Sequence, residues 1–161
     1  VRRATESDRD AIWEIFRVVV ASGDTYTFEP GISREEALAY WMHTANHCYV
    51  AEQEGKTLGT YILRANQPGL GSHVANAAFM VAPGARGLGV GQAMGEHCLD
   101  EARRQGFRAM QFNFVVSTNE SAVRLWRRLG FEIVGTIPDA FRHSQKGYVA
   151  AYVMYRSLER A

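Results

Sequence analysis

Residues 80–92 read MVAPGARGLGVGQ, with Gly84, Gly87, Gly89 and Gly91 falling between the apolar end of a strand and the start of a long helical pattern. Glycine has no Cβ, so a ligand can lie directly against the main chain. The first N–H groups of a helix lack intrahelical acceptors and sit at the positive end of its dipole. Together these features make a cradle for an anion. Two nucleotide motifs fail here. A P-loop needs Gly-Lys-Ser/Thr, whereas Gly91 is followed by Gln92 and Ala93. A dinucleotide fingerprint needs G-x-G-x-x-G and an acid on the next strand, whereas the spacing here is G-x-G-x-G and the strand AMQFNFVV carries no acid. A turn that merely reverses the chain is the plain alternative.

Outward from this turn, the pattern alternates strands and helices. Val1 to Ala4 is a short strand. Ile12, Ile15, Phe16, Val19 and Val20 follow at helical spacing behind a Ser7/Asp10 capping pattern. The helix stops at Ser22-Gly23, and DTYTFEPG is a loop. Ser33 and Glu36 cap a second helix running to about Trp41. CYVAEQEGKTLGTYIL is a hairpin turning at Glu54-Gly55-Lys56, and NQPGLGSH is a loop containing His73. ANAAFMV is a strand, Gly89 to Gln105 a helix, RAMQFNFVV a strand, and Ser121 to Leu129 a helix closed by Gly130. FEIVGTI and YVAAYVMY finish as strands, with His143 in the loop between them. The order βααβββαβαββ is that of an α+β protein with a mixed sheet and helices packed on it. The 161 residues, 47% hydrophobic and 22% charged, suit one domain over 1–161.

Composition narrows the function. A formal net charge of +1 with interspersed signs gives no broad footprint for nucleic acid. No run of eighteen apolar residues and no signal-type apolar core occur, so the expectation is a cytoplasmic protein without membrane attachment. Cys48 and Cys98 form neither a disulfide framework nor a metal spacing, and His43 and His47 lack a carboxylate to join them; no metal is expected.

Arg86-Gly87-Leu88-Gly89-Val90-Gly91 matches the Arg/Gln-x-x-Gly-x-Gly/Ala motif, and Asn119-Glu120-Ser121-Ala122 with Leu129-Gly130-Phe131 matches a second, Asn-initiated helix ending in Gly-Phe. In both motifs and in element order, the chain resembles the GNAT N-acetyltransferase family. That resemblance implies a GNAT fold with a mostly antiparallel sheet and helices on both faces. It also implies acetyl-CoA as cosubstrate, its pyrophosphate on Arg86, Gly87, Leu88, Gly89, Val90 and Gly91. Backbone groups of Phe79, Met80 and Val81 would then pair with the pantetheine, and the Val81 N–H would receive the oxyanion. Pro83, lacking an N–H, would end the strand pairing and let the strands splay.

One position departs from the family. The tyrosine that commonly protonates the leaving sulfur is replaced by Trp126, whose indole N–H is no acid near neutral pH. Asn119 is the alternative hydrogen-bond donor, besides its role as a helix cap. Asn76 and Asn113 are polar residues inside apolar strands, which calls for a hydrogen-bonding reason. They match asparagines that hold the substrate carboxylate in relatives acting on proline analogues such as azetidine-2-carboxylate. TYTFEP resembles the acceptor-covering loop of phosphinothricin-type acetyltransferases. It offers Tyr26 and Phe28 as a wall and Glu29 as a general base if burial raises its pKa. An amine arriving already neutral, with no dedicated base, is the other possibility, and the two stay open at this level. His73 and His143 lie in loops that border the expected site. The expected activity is acetyl transfer to the amine of a small amino or imino acid by direct attack, since neither cysteine sits in a nucleophile motif. Acetylation of a peptide or protein, and a non-catalytic acyl-CoA sensor, are the alternatives. A homodimer is expected from the resemblance and the C-terminal strands.

Overall fold

The computed structural model describes residues 1–159. Strands β1 (Arg2–Arg3), β2 (His47–Gln53), β3 (Lys56–Ala65), β4 (Val74–Val81), β5 (Ala109–Val116), β6 (Glu132–His143) and β7 (Gly147–Ser157) form one sheet in the order β1-β2-β3-β4-β5-β7-β6. Helices α1 (Arg9–Ala21), α2 (Arg34–Trp41), α3 (Val90–Arg104) and α4 (Glu120–Arg128) lie between them in the expected sequence. Among the described residues, every strand pair is antiparallel except β4 with β5.

Alternation along the strands sends side chains to two cores. Ile12, Phe16 and Trp41 of α1 and α2 pack on Val50, Ile62 and Met80. Across the sheet, Met94 and Cys98 of α3 and Trp126 of α4 pack on Tyr61, Phe112 and Met154. Burial of each large apolar side chain stabilises the fold by roughly 1.5–3 kcal/mol. Helices therefore cover both faces. Both cysteines are buried and free. No described helix is long and apolar enough to cross a membrane.

Local chemistry sets the helix starts. Ser33 accepts the Glu36 N–H at 3.2 Å while the Glu36 carboxylate accepts the Ser33 N–H at 3.2 Å, the reciprocal cap read from sequence. At α1 the expected Ser7/Asp10 pair does not form. Asp8 takes that place: it accepts the Thr5 N–H at 2.7 Å and is gripped by both terminal nitrogens of Arg2, at 2.9 and 2.8 Å. That contact ties the first strand to the first helix.

The C-terminal strands are longer than their apolar runs. β6 continues through Pro138 and Asp139, with a register shift across the Ile137–Phe141 stretch, and pairs His143 with Gly147. His143 is thus the end of a strand rather than a loop residue. Beyond it, the hairpin turn reaches back to the end of α1. The Ser144 N–H donates to the Gly23 carbonyl at 3.0 Å, and its hydroxyl to the Ser22 carbonyl at 3.0 Å.

Candidate active site

The parallel pairing is also a short one. β4 and β5 are in register at Val74–Ala109 and Ala75–Met110, after which they diverge. The splay therefore begins well before Pro83, the residue credited with it from sequence. Pro83 instead opens a single 3-10 turn, Pro83–Ala85. What separates the strands on the β5 side is a bulge. Phe112 pairs with Met154 and Val115 with Tyr152, so Asn113 and Phe114 together stand opposite one residue, Val153.

Along β4, main-chain groups alternate between β3 and the gap. Val74 C=O accepts from Asn66 on the β3 side and the Ala82 N–H donates to Leu58 there, which turns Ala77, Phe79 and Val81 toward the opening. Val81 thus presents its N–H to the gap. Met80 does not follow the expectation. Its backbone is paired with Thr60 of β3 and its side chain is 1% exposed in the α1/α2 core. Ala77 faces the gap in its place, a residue that its bland side chain left unmarked in the sequence.

The glycine turn leads from β4 into α3. Gly89 is the N-cap in the left-handed region, φ 79°. Ala93 donates to Gly89 C=O at 3.0 Å, so the N–H groups of Val90, Gly91 and Gln92 have no acceptor within the helix. A Cβ on Gly87 or Gly89 would meet nothing within 4 Å, so bare main chain borders open space there. The Leu88 N–H is not available, because it closes the turn onto Ala85 C=O at 3.3 Å. Arg86 is exposed at the lip of this cradle. These residues fit the diphosphate end of a coenzyme.

The gap opens into a cavity of about 200 Å³, lined by the loop after α1, by β4 and β5, and by the start of α4. Of the residues singled out in the sequence, Tyr26, Asn76, Phe79, Asn113, Asn119 and Trp126 meet here. Tyr26 spans it. Its hydroxyl donates to Phe79 C=O at 2.6 Å, and burial raises its phenol far above the usual range, so it stays neutral. Asn113 is exposed in the bulge rather than buried. Its amide donates to Asn66 Oδ1 at 2.7 Å and accepts from Gln111 at 2.9 Å. Asn76 is half-buried. Asn119 caps α4, its Oδ1 accepting from the Ala122 N–H at 3.3 Å and the Ser121 hydroxyl at 3.1 Å. The Asn119 amide N–H groups are what remain for a ligand. Trp126 is both core and wall, 7% exposed and with ring centroids 4.8 Å from Phe79 and Phe112.

Two loop residues fall elsewhere. Phe28 packs between Phe16 and Tyr40, each with a centroid 5.0 Å away, and so supports Tyr26 from behind. Glu29 is exposed and outside the cavity, which removes the burial that would have poised it as a base. His73 and His143 are also not among the lining residues. Thr25 was overlooked in the sequence: it lines the cavity, and its Oγ1 is buried without a partner. No group of three or more His, Cys, Asp or Glu suited to a metal occurs among the described residues.

The sequence profile described as the Acetyltransferase (GNAT) family matches residues 9–131. The N-acetyltransferase aca1 of Schizosaccharomyces pombe is 41% identical over 108 residues, a stretch covering 65% of this chain and 52% of that protein. The chain thus spans about half the length of that curated relative. The solved GCN5-related N-acetyltransferase of Kribbella flavida is 45% identical with a TM-score of 0.93, covering 97% of this chain and 95% of that one. A phosphinothricin acetyltransferase from Sinorhizobium meliloti, solved with AcCoA, shares the fold at 24% identity and a TM-score of 0.86, over 97% of this chain and 86% of that one.

Proposed function

The chain belongs to the acetyltransferase (GNAT) family, and on that premise we propose that it transfers the acetyl group of acetyl-CoA to the amine of a small amino or imino acid. The observation that carries this reading is the cavity at the splay. Asn76, Asn113 and Asn119 converge there with no charged side chain among the described residues of the wall, beside a glycine cradle leading into a helix. A small volume lined by amides suits a compact acceptor with a carboxylate. A polyamine or a basic peptide would call for acidic walls.

When bound, acetyl-CoA supplies an acyl carbon with a thiolate as leaving group. The chain's part is placement and electrostatics. N–H groups of Gly87, Gly89, Val90 and Gly91 seat the diphosphate, with Arg86 at the edge. Ala77, Phe79 and Val81 offer their gap-facing main chain to the pantetheine, and the Val81 N–H receives the charge that develops on the carbonyl oxygen. Asn119 donates an amide hydrogen bond to the departing sulfur, a task that Trp126 does not perform. A thiol with a pKa of about 8.5 needs no stronger help. Asn76 and Asn113 hold the acceptor's carboxylate, with Tyr26 as the wall above it.

Incubation with acetyl-CoA and a mixture of amino acids, cyclic imino acids, phosphinothricin, polyamines and short peptides, read by mass spectrometry, tests the proposal. The expected result is acetylation of an amine adjacent to a carboxylate. Acetylation confined to peptides or polyamines would overturn the acceptor class. Acetyl-CoA binding without any product would favour a sensor.

A further inference from the structure

The cavity wall is rich in hydrogen-bond donors and poor in anything that would hold a cation. Every lining side chain is apolar, an amide, a hydroxyl or an aromatic. Three of its acceptor atoms are engaged already: Phe79 C=O by Tyr26, Asn113 Oδ1 by Gln111, and Asn119 Oδ1 by Ala122 and Ser121; those that stay open, such as Asn76 Oδ1, are neutral. With the Asn119 amide given to the sulfur and one Asn113 hydrogen to Asn66, what is left over is the amide hydrogens of Asn76, the second hydrogen of Asn113 and the unpartnered Thr25 hydroxyl. These satisfy a carboxylate. They offer no negative charge to an ammonium, whose desolvation without a counter-charge costs several kcal/mol.

The charged groups of the surrounding elements do not supply one. Asp24, next to Thr25, accepts from the Ser22 hydroxyl at 2.5 Å. Arg64, the cross-strand neighbour of Asn76, donates to the Tyr40 hydroxyl at 3.3 Å with its guanidinium 5.6 Å from that ring. Glu120, at the start of α4, pairs with Arg124 at 3.2 Å. Glu29 and His73 are exposed, and His143 accepts from the N–H groups of Gln145 and Lys146 in its own hairpin turn. Tyr26 is the one titratable side chain among the described residues of the wall, and its proton is already given to Phe79 C=O.

We infer that the acceptor enters this cavity as the uncharged amine, having left its proton in bulk water, and that no side chain among the described residues of the wall acts as its base. The inference rests on the acetyl-transfer reading above. Its proton balance closes without a base. The amine lone pair forms the new C–N bond, the C–S bond breaks with its electron pair going to sulfur, and the N–H proton lost from nitrogen ends on that sulfur. Tyr26 takes part only as a neutral oxygen whose lone pairs can accept the amine N–H. The substrate class follows: amines that react through their free-base fraction, however small, and that bear an anionic group for the donor wall.

The test is the pH dependence of kcat/KM for a series of cyclic imino acids whose amine pKa values span about two units. Below each inflection, kcat/KM should rise about tenfold per pH unit, and the inflection should move one for one with the acceptor's own pKa. An inflection at one fixed pH for every acceptor would assign a base on the protein and overturn the inference while leaving acetyl transfer intact. Failure of the protein to acetylate any amine would overturn the transfer reading and this inference with it. Tyr26→Phe adds a second measurement. It removes the lone-pair donor but keeps the ring, so acceptor kcat/KM should fall at least severalfold with the inflection unmoved. An inflection displaced in Tyr26→Phe would make Tyr26 the base.

Discussion

Gly89→Ala separates folding from cofactor binding at the glycine turn. Gly89 sits at φ 79°, ψ 3°, a region that costs a residue with a Cβ roughly 1–2 kcal/mol. Alanine also restricts the unfolded chain, which offsets about 0.4–1 kcal/mol. No atom lies within 4 Å of the new Cβ, so no steric term is added. The net loss is about 1 kcal/mol, or a fall in Tm of about 2–4 °C for a chain of this size. Affinity for acetyl-CoA should fall much further. A methyl group at the seat of the diphosphate holds it off at least one N–H, and a hydrogen bond to a charged group contributes about 1.5–3 kcal/mol, or roughly tenfold to a hundredfold in Kd. Gly106 is the matched control at the other end of α3, with φ 84° and nothing within 4 Å of an added Cβ. Its turn is held by Gly106 N–H to Arg103 C=O and Phe107 N–H to Ala102 C=O, both 3.0 Å, far from the cradle. Thermal denaturation of the free proteins should rank the two variants alike, and calorimetric titration with acetyl-CoA should separate them. Equal losses of affinity in both, or a Gly89→Ala Kd within about twofold of the parent, would refute the placement of the diphosphate.

Two further outcomes rest on the same geometry. Asn113→Ala should lower kcat/KM for the acceptor roughly tenfold while leaving the acetyl-CoA Kd unchanged by calorimetry; a variant weakened only toward acetyl-CoA would move Asn113 off the acceptor side. The hydrogen bonds from Arg2 hold the Asp8 carboxyl down at about 2, from an ordinary 3.8. Because the folded value is the lower one, the stabilisation is complete above about pH 4 and is lost as pH falls toward about 2. Urea unfolding should show Asp8→Asn less stable by on the order of 1–2 kcal/mol at neutral pH, after allowance for the half-exposed Arg2, with the difference vanishing in acid. A difference independent of pH would refute the ion pair as its origin.

Elements whose signal is local were legible in the sequence. The glycine turn, the Ser33/Glu36 cap and the Asn119 cap each depend on a few adjacent residues, and the structure has them where the pattern put them. Features decided by pairing across the sheet were not. The early divergence of β4 from β5 and the Asn113–Phe114 bulge depend on the register with β7, which no local pattern encodes. Met80 was misread and Ala77 passed over for the same reason, since main-chain direction alternates with a phase that only the β3 partner fixes. Glu29 and Thr25 exchanged importance because burial in a loop depends on what docks against it. The length of β6 was hidden because its apolar run ends at Ile137, whereas the strand continues to His143.

The clasp between Ser144 and the end of α1 links residues 122 positions apart. During synthesis, the glycine turn and the Asn119 cap are complete once the chain has passed α4, whereas the loop carrying Thr25 and Tyr26, by then tied to β4 through Tyr26, gains its second anchor only when the last hairpin has been made. The glycine-turn side of the cleft can therefore assemble on an emerging chain before the loop that faces it is held at both ends.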